Sequence, residues 1–228
     1  MIECKGMQTI EYGRQQGTHK VLGIRHLTDS AFVLQIEKKN FKFIPGQCVN
    51  IGLVNEAINR EYSSYSSPND DKLEFLIKTV EGGAVTPRLS KLKPGNKVSL
   101  DGAYGLFVLD EQKLNQKHIL IATGTGIAPF HSFVKTYPKL DYQIIHGIRY
   151  ANEQYDRKDY AKNRYIACVS REKGGDFSGR VTEYLRSNKI DKGARYYLCG
   201  NSEMINDVYD ILSETGINGS NIVTEVFF

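Results

Sequence analysis

The sequence predicts two domains: an all-β first half, built as an antiparallel barrel or sandwich, and a second half with a helix-covered parallel sheet. Residues 7–110 show short β-type runs separated by turn residues, which is typical of antiparallel barrels and sandwiches. From residue 118 onward, strand-like and helix-like segments alternate, which favours a parallel sheet. The polar stretch 110–116 separates the two patterns, so we place the domains at residues 1–112 and 113–228.

The first half contains short β-type runs and one helix-like interruption. The clearest runs are residues 32–36, 48–53, 73–80 and 97–100. Pro-Gly pairs at positions 45–46 and 94–95 mark turns between them. A helix is predicted over residues 86–92, directly after Gly82 and Gly83.

The second half alternates strands with helices. The predicted strands are residues 118–123, 142–148, 164–170, 195–199 and 221–226. The predicted helices are residues 129–137, 178–188 and 202–215. In an open parallel sheet, ligands bind beyond the carboxyl ends of the strands. The residues that directly follow these strands are therefore the first candidates for a binding site.

Composition and charge exclude several classes of function. The net charge of +4 over 228 residues is too mild to indicate nucleic-acid binding. No long apolar run occurs, so neither a membrane span nor a secretory signal is predicted. The four cysteines are far apart and form no CxxC pair, which indicates neither a metal site nor a disulfide framework. A reducing, cytoplasmic setting is expected.

A glycine-rich turn joins the first strand and the first helix of the second half. It reads Ala122-Thr-Gly-Thr-Gly-Ile-Ala-Pro129. Glycines let the backbone approach a phosphate, and the following helix N-terminus favours negative charge. Pro129 suits a first helical turn, but it stands where the Rossmann pattern has its third glycine. By the glycines alone, an ordinary tight turn is an equal alternative.

Small and basic residues follow the other strands of the second half. These segments are His146-Gly-Ile-Arg149, Ser170-Arg171 and Cys199-Gly-Asn201. Arginine binds phosphate bidentately, and no acidic residue stands ready for a ribose 2′-hydroxyl, so the pattern favours NADP over NAD. The alternative is that Arg149, Arg171 and Arg180 are solvated surface charges.

Two motifs of the first half suit a flat ring and its phosphates. Arg60-Glu-Tyr-Ser63 offers a phosphate ligand, an aromatic face and a hydroxyl. Gly82-Gly-Ala-Val-Thr86 precedes the predicted helix, with Thr86 as a candidate N-cap. The alternatives are that Tyr62 is barrel core, that Arg60 pairs with Glu56 or Glu61, and that the helix is an ordinary capped one.

Four blocks, taken in their order, resemble the ferredoxin–NADP reductase superfamily, and most closely the bacterial ferredoxin/flavodoxin–NADP reductases. The blocks are Arg60-Glu-Tyr-Ser63, Gly83-Ala-Val-Thr86, Gly124-Thr-Gly-Ile-Ala-Pro129 and Cys199-Gly-Asn-Ser-Glu-Met204. The likeness covers about residues 46–228. It implies a six-stranded antiparallel FAD-binding barrel followed by an NADP-binding α/β domain.

The resemblance also implies a role for each motif residue. In that family the first block binds the FAD phosphates, stacks on the flavin and lies near its N5 atom, which here involves Arg60, Glu61, Tyr62 and Ser63. Further FAD contacts are implied for Leu76, Ile77, Lys78, Gly83, Ala84, Val85 and Thr86. NADP contacts are implied for Thr123, Gly124, Thr125, Gly126, Arg149, Ser170, Arg171, Arg180, Gly200 and Asn201, with Cys199 shaping the nicotinamide pocket.

The C-terminus, Thr224-Glu-Val-Phe-Phe228, is similar to the acidic–aromatic tail of these relatives, whose aromatic ring covers the flavin. Phe227 is the stacking candidate and Phe228 would reach toward the adenine, although tyrosine or tryptophan is usual there. The alternative is a hydrophobic plug. Glu225 is a candidate for proton delivery, with a plain surface role as its alternative.

The function implied is hydride transfer between NADP(H) and FAD, with single electrons passed to or from a separate acidic protein. That partner would be a ferredoxin or flavodoxin, bound transiently to a monomer. One alternative is an NAD(P)H-dependent flavin reductase or an electron-transfer subunit of another oxidoreductase. A second is a binding module that has lost FAD, which the intact Arg60, Tyr62 and Ser63 argue against.

Overall fold

The first half forms a six-stranded antiparallel sheet that curls into a nearly closed barrel. The computed structural model describes residues 15–227. The strands are β1 (Gln15–His26), β2 (Ala31–Glu37), β3 (Cys48–Leu53), β4 (Asn59–Ser63), β5 (Lys72–Lys78) and β6 (Lys97–Tyr104). Their order in the sheet is β4-β3-β6-β1-β2-β5, and the edge strands β4 and β5 contact each other. The predicted six-stranded antiparallel barrel is thereby confirmed.

Strand β2 is buried on both faces, because one face lines the barrel interior and the other packs against the second half. Phe32, Leu34 and Ile36 are at most 1% exposed and fill the barrel interior. Ala31 and Val33 point to the opposite face, where they join a second apolar cluster shared with the α/β half. Side chains alternate between the two faces of a strand. A continuous apolar run therefore places β2 between two cores.

Some elements of the first half differ from the sequence-based expectation. Strand β1 went unrecognised because its buried side chains are only His19 and Val21, which is a weak apolar pattern. Strand β6 extends to Tyr104 rather than ending at residue 100. The helix expected over residues 86–92 is a single turn, α1 (Thr86–Leu89).

The second half is a parallel six-stranded sheet with three helices. Its strands are β7 (His118–Thr123), β8 (Tyr142–Ile148), β9 (Tyr165–Val169), β10 (Phe177–Ser178), β11 (Arg195–Gly200) and β12 (Ile222–Val226). Its helices are α2 (Ala128–Thr136), α3 (Val181–Ser187) and α4 (Ser202–Glu214). Helix α3 begins later than expected because residues 177–178 add the short edge strand β10 to β9.

The strand order shows where the sheet leaves a crevice. The order is β10-β9-β8-β7-β11-β12, so the chain runs outward from β7 in one direction and then resumes at β11 on its other side. Such a reversal leaves a crevice beyond the carboxyl ends of β7 and β11. The glycine-rich turn after β7 and Gly200 at the end of β11 both lie at this point.

Apolar packing and two ion pairs, Arg25–Asp156 and Lys135–Asp70, join the two halves. Tyr65 and Phe107 of the first half share a cluster with Phe133 of α2. The Arg25 guanidinium binds both carboxylate oxygens of Asp156, at 2.8 and 2.7 Å, and the Tyr65 hydroxyl donates to the same carboxylate at 3.0 Å. Bidentate pairing of this kind fixes orientation as well as distance. The barrel and the α/β half are thus held in one arrangement.

Within residues 15–227, no helix combines the length and apolarity needed to span a bilayer.

Candidate functional site

A cleft of about 1110 Å³ lies between the barrel and the carboxyl edge of the parallel sheet. The sequence-predicted site residues that line it are Arg60, Glu61, Tyr62, Ser63, Leu76, Ile77, Lys78, Gly83, Ala84, Val85, Thr86, Thr123, Gly124, Thr125, Arg149, Ser170, Arg171, Arg180, Gly200, Asn201, Glu225 and Phe227. Two others, Gly126 and Cys199, lie beneath its surface rather than in its wall. Phe228 falls outside the described residues. The cleft therefore unites motifs from both halves of the chain.

The floor of the cleft is the turn after β7, packed tightly against the end of β11. A β-carbon on Gly126 would lie 2.5 Å from the Cys199 carbonyl oxygen and 2.8 Å from the Gly200 α-carbon. Gly200 has a φ of +131°, and a side chain there would collide with Thr123. The Thr123 hydroxyl in turn accepts the Asn201 N–H at 2.9 Å. Gly126 thus contributes by permitting close packing, not by facing a ligand.

Three arginines gather along one wall. Arg149 and Arg171 follow neighbouring strands, and the Arg171 N–H donates to the Arg149 carbonyl at 3.0 Å. Arg180 precedes α3. Within residues 15–227, no carboxylate pairs with any of these guanidinium groups, so their charges remain available to a ligand. Ser170 directly precedes Arg171, and its hydroxyl donates to the Ile148 carbonyl at 3.0 Å.

Two glutamates that were not predicted as site residues accept hydrogen bonds from the backbone N–H groups of Arg149 and Arg180. Glu153 is only 8% exposed and accepts the N–H groups of Arg149, at 2.7 Å, and Tyr150, at 3.2 Å. Glu183 accepts the Arg180 N–H at 2.6 Å. Each glutamate stands three or four residues after its arginine in the sequence. This short spacing could have identified both glutamates, since carboxylates cap nearby N–H groups.

The barrel wall presents an aromatic ring and a free cation. The Tyr62 hydroxyl is buried without a hydrogen-bond partner, and burial raises its pKa to about 12. The Arg60 guanidinium donates to the Asn59 carbonyl at 2.7 Å. The alternative that Arg60 pairs with Glu56 is wrong, because Glu56 is bound to Arg88 instead.

Thr86 does not cap its helix. The residue at the N-cap position is Val85, which makes no side-chain cap bond. The Thr86 hydroxyl instead accepts the Val80 N–H at 2.9 Å. This bond closes the turn that carries Gly83 and Ala84, so the hydroxyl shapes the turn while the backbone of residues 83–86 lines the cleft.

The three candidate catalytic side chains converge where the barrel meets β12. The Glu225 carboxyl lies 3.2 Å from the Ser63 hydroxyl and 4.0 Å from the Cys199 sulfur. Burial raises the pKa of the Glu225 carboxyl to about 7; the Ser63 hydrogen bond opposes this rise and the nearby Glu61 adds to it. Such a carboxyl exchanges a proton near neutral pH.

Two thiols lie next to the Glu225 carboxyl, but neither releases a proton near neutral pH. Cys199 is fully buried, and burial raises its pKa well above the ordinary value. Cys48, which the sequence reading did not select, lines the cleft opposite Ser63 in the β3–β4 ladder. Burial raises the pKa of Cys48 to about 12. Both sulfurs are therefore neutral, and Glu225 is the proton-exchanging group of the three.

The chain returns to the cleft at its end. Strand β12 pairs with β11, and the Phe227 N–H continues the ladder by donating to the Gly200 carbonyl at 2.8 Å. The Phe227 side chain packs against the cluster shared by both halves and lines the cleft. The backbone therefore fixes where this ring enters the cleft.

The residues present fit a flavin dinucleotide on the barrel side and a phosphorylated dinucleotide on the sheet side. The buried Tyr62 hydroxyl lacks a partner, and the Arg60 cation lacks a carboxylate within the described chain. On the sheet side, a β-carbon added to Gly124 would meet no atom within 4 Å, so this turn faces open space. An aromatic face with a cation, and glycines beside arginines, are the donor sets that such cofactors need.

Comparisons with known proteins agree with this division. The oxidoreductase FAD-binding domain model matches residues 25–109, and the oxidoreductase NAD-binding domain model matches residues 120–210. A flavodoxin/ferredoxin–NADP reductase of Escherichia coli is 32% identical over 215 residues, covering 83% of this chain and 87% of the relative.

An electron-transfer component and a solved reductase structure are also similar to this chain. The electron transfer component of a toluate 1,2-dioxygenase from Pseudomonas putida is 30% identical, covering 91% of this chain and 66% of that protein. The crystal structure of a ferredoxin NADP+ reductase from Neisseria gonorrhoeae, with bound FAD and NADP, has a TM-score of 0.83 at 23% identity, covering 93% of this chain and 99% of that one.

Proposed function

This chain belongs to the ferredoxin–NADP reductase superfamily, and we propose that it is an FAD-dependent reductase that exchanges hydride with NADP(H) and single electrons with a ferredoxin or flavodoxin. One observation carries the proposal. Three arginines without carboxylate partners line the same cleft as the Tyr62 ring and the Ser63 hydroxyl. A cleft of this kind accommodates an anionic dinucleotide next to a flat redox cofactor.

On the barrel side, side chains bind and orient FAD, which when bound supplies the redox chemistry of the site. Tyr62 offers its ring as a stacking face, and its buried hydroxyl awaits a hydrogen-bond partner. Arg60 neutralises phosphate charge. The turn at residues 83–86, closed by the Thr86 hydroxyl, offers backbone N–H groups to the same phosphates.

On the sheet side, the arginines select the cofactor. Arg149 and Arg171 bind the 2′-phosphate of NADP(H), and Ser170 lines the cleft beside Arg171. Glu153 and Glu183 bind the backbone N–H groups of Arg149 and Arg180, so the backbone from which each arginine side chain extends is held in place. Preorganisation of this kind lowers the entropy lost on binding.

Near the junction of the two sides, Glu225 and Ser63 provide a route for a proton. The carboxyl has a pKa of about 7 and touches the Ser63 hydroxyl at 3.2 Å. Ser63 orients the edge of the flavin, and Glu225 holds or releases the proton next to it. Phe227 lines the cleft wall here, and a nicotinamide ring would have to displace it or slide past it to reach the flavin.

The first test is an anaerobic titration of the FAD-loaded protein with NADPH and with NADH, followed by flavin absorbance. Bleaching by NADPH at far lower concentration than NADH supports the proposal. Replacing Arg171 by alanine should raise the KM for NADPH about ten- to a hundredfold while leaving that for NADH unchanged, because only NADPH carries the 2′-phosphate. Arg186→Ala, at an exposed position of α3 outside the cleft, is the matched control.

A second candidate function is that of an electron-transfer component for another oxidoreductase, which the dioxygenase relative favours. The two candidates differ in their electron donor and acceptor. Equal bleaching by NADH, together with failure to reduce a ferredoxin or flavodoxin, would favour the second. Absence of any flavin band after added FAD would exclude both.

A further inference from the structure

A fully buried histidine lies directly beneath the glycine-rich turn. His146 belongs to β8, is 0% exposed and pairs in register with Ala122 of β7, just before the turn begins. Its side chain does not line the cleft. A ligand in the cleft therefore cannot touch it, and any effect of His146 on binding must pass through the residues that it holds.

The two ring nitrogens of His146 have defined partners. Nε2 lies 2.8 Å from the Gly124 carbonyl oxygen, and Nδ1 lies 2.7 Å from the Tyr165 hydroxyl. A carbonyl oxygen only accepts, so Nε2 must carry a hydrogen. Burial lowers the pKa of His146 to about 4, so the ring is neutral near pH 7 and Nδ1 has a lone pair. Tyr165 therefore donates to Nδ1 and fixes the tautomer that donates to Gly124.

The bond to Gly124 sets the direction of the next N–H group. In a trans peptide the C=O and N–H groups point to opposite sides. When the Gly124 carbonyl points down to His146, the Thr125 N–H of the same peptide points away from it, toward the cleft that Thr125 lines. The first N–H groups of a helical turn have no partner within it. Gly124 has a φ of +54°, a conformation that a glycine adopts without steric cost.

We infer that His146, with Tyr165 behind it, is a positioning residue that orients the Gly124–Thr125 peptide so that the Thr125 N–H binds the pyrophosphate of the nicotinamide dinucleotide. This role rests on the proposed function, because it assigns one group of the same site. It also means that different residues act on different parts of the dinucleotide. The arginines bind the 2′-phosphate, whereas His146 acts only on the pyrophosphate.

That separation gives a test which distinguishes positioning from general loss of structure. Isothermal titration of the FAD-loaded protein would compare NADP+ with adenosine 2′-phosphate, which lacks the pyrophosphate. His146→Leu should weaken NADP+ binding about tenfold, the value of one hydrogen bond to a charged group, and leave adenosine 2′-phosphate within about twofold. His146→Gln offers an amide N–H in place of Nε2–H and should restore most of the affinity for NADP+.

Two further variants keep the inference falsifiable if His146→Leu folds poorly. Tyr165→Phe keeps the ring, which stacks on Tyr160 at 5.3 Å, but removes the hydroxyl that fixes the tautomer. It should weaken NADP+ binding about threefold. The matched control is His118→Leu, a 0% exposed histidine at the opposite end of β7, which should leave both affinities unchanged.

The outcomes separate this inference from the proposed function. If the parent protein binds NADP+ and His146→Leu binds it equally well, the positioning role is wrong while the reductase proposal stands. Equal weakening of both ligands by His146→Leu, without rescue by His146→Gln, also overturns the positioning role. If the parent protein binds neither NADP+ nor NADPH, the proposed function itself fails, and this inference with it.

Discussion

Replacing Glu225 by glutamine should change how the stability of the protein depends on pH. Glutamine has nearly the same shape but does not titrate. Burial raises the pKa of the Glu225 carboxyl from 4.5 to about 7, so the folded protein holds a proton there that the unfolded chain has already released. Between these two values, a folded state that binds more protons loses stability as pH rises.

The size of the effect follows from the two pKa values. Each pH unit over which only the folded state is protonated is worth about 1.4 kcal/mol. Across the interval between 4.5 and about 7, the free energy of unfolding of the parent protein should therefore fall by about 3 kcal/mol through this one carboxyl. Glu225→Gln has no such dependence. The stability advantage of the variant should grow from pH 4.5 to pH 8 by about that amount.

Urea unfolding of flavin-free protein, followed by far-UV circular dichroism at several pH values, measures this difference. All other titrating groups are present in both proteins, so their contributions to the difference in free energy of unfolding largely cancel. Glu214→Gln, at an exposed position at the end of α4, is the control and should give no pH-dependent difference. A difference between parent and Glu225→Gln that stays within about 0.5 kcal/mol from pH 4.5 to pH 8 would refute the assigned burial of this carboxyl.

Two further predictions concern packing and the junction between the halves. Gly126→Ala places a β-carbon 2.5 Å from the Cys199 carbonyl oxygen, a backbone atom that cannot move aside cheaply. It should lower stability by about 1–3 kcal/mol and weaken NADP+ binding, as measured by thermal unfolding and calorimetry; unchanged values would contradict the close packing. Asp156→Asn keeps an acceptor for Tyr65 but removes the charge facing Arg25, whose side chain is 40% exposed. It should lower the free energy of unfolding in urea by about 1 kcal/mol, less at high salt; a loss independent of salt would count against the ion pair.

Local patterns located most of the candidate site in advance. Arg149 and Arg171 come just after strands that read clearly as apolar, and Gly200 is the last residue of another; the carboxyl ends of parallel strands share one edge of a sheet. Once the strands are identified in the sequence, these three residues can be predicted to lie close together. Tyr62 and Ser63 are likewise neighbours in the sequence, at the end of a barrel strand, and both line the cleft.

Other site features depend on contacts between distant parts of the chain. Thr86 follows a glycine turn and reads as a helix cap, yet its hydroxyl binds the Val80 N–H because the turn folds back on itself. Cys48 enters the cleft only through its register opposite Ser63. Strand β1 is held by β2 and β6 on its two sides, so it needs few buried residues of its own and gave little signal.

The two-part architecture, the order of the four motifs and the collection of arginines at one sheet edge can all be predicted from the sequence. These follow from side-chain periodicity and from residues that are adjacent along the chain. Tertiary structure alone decided which groups are buried and what they face. Glu225 exchanges a proton near neutral pH because the barrel and β12 enclose it, and His146 stays neutral because it is sealed between Tyr165 and Gly124. Desolvation depends on everything packed around a group, and no local pattern encodes it.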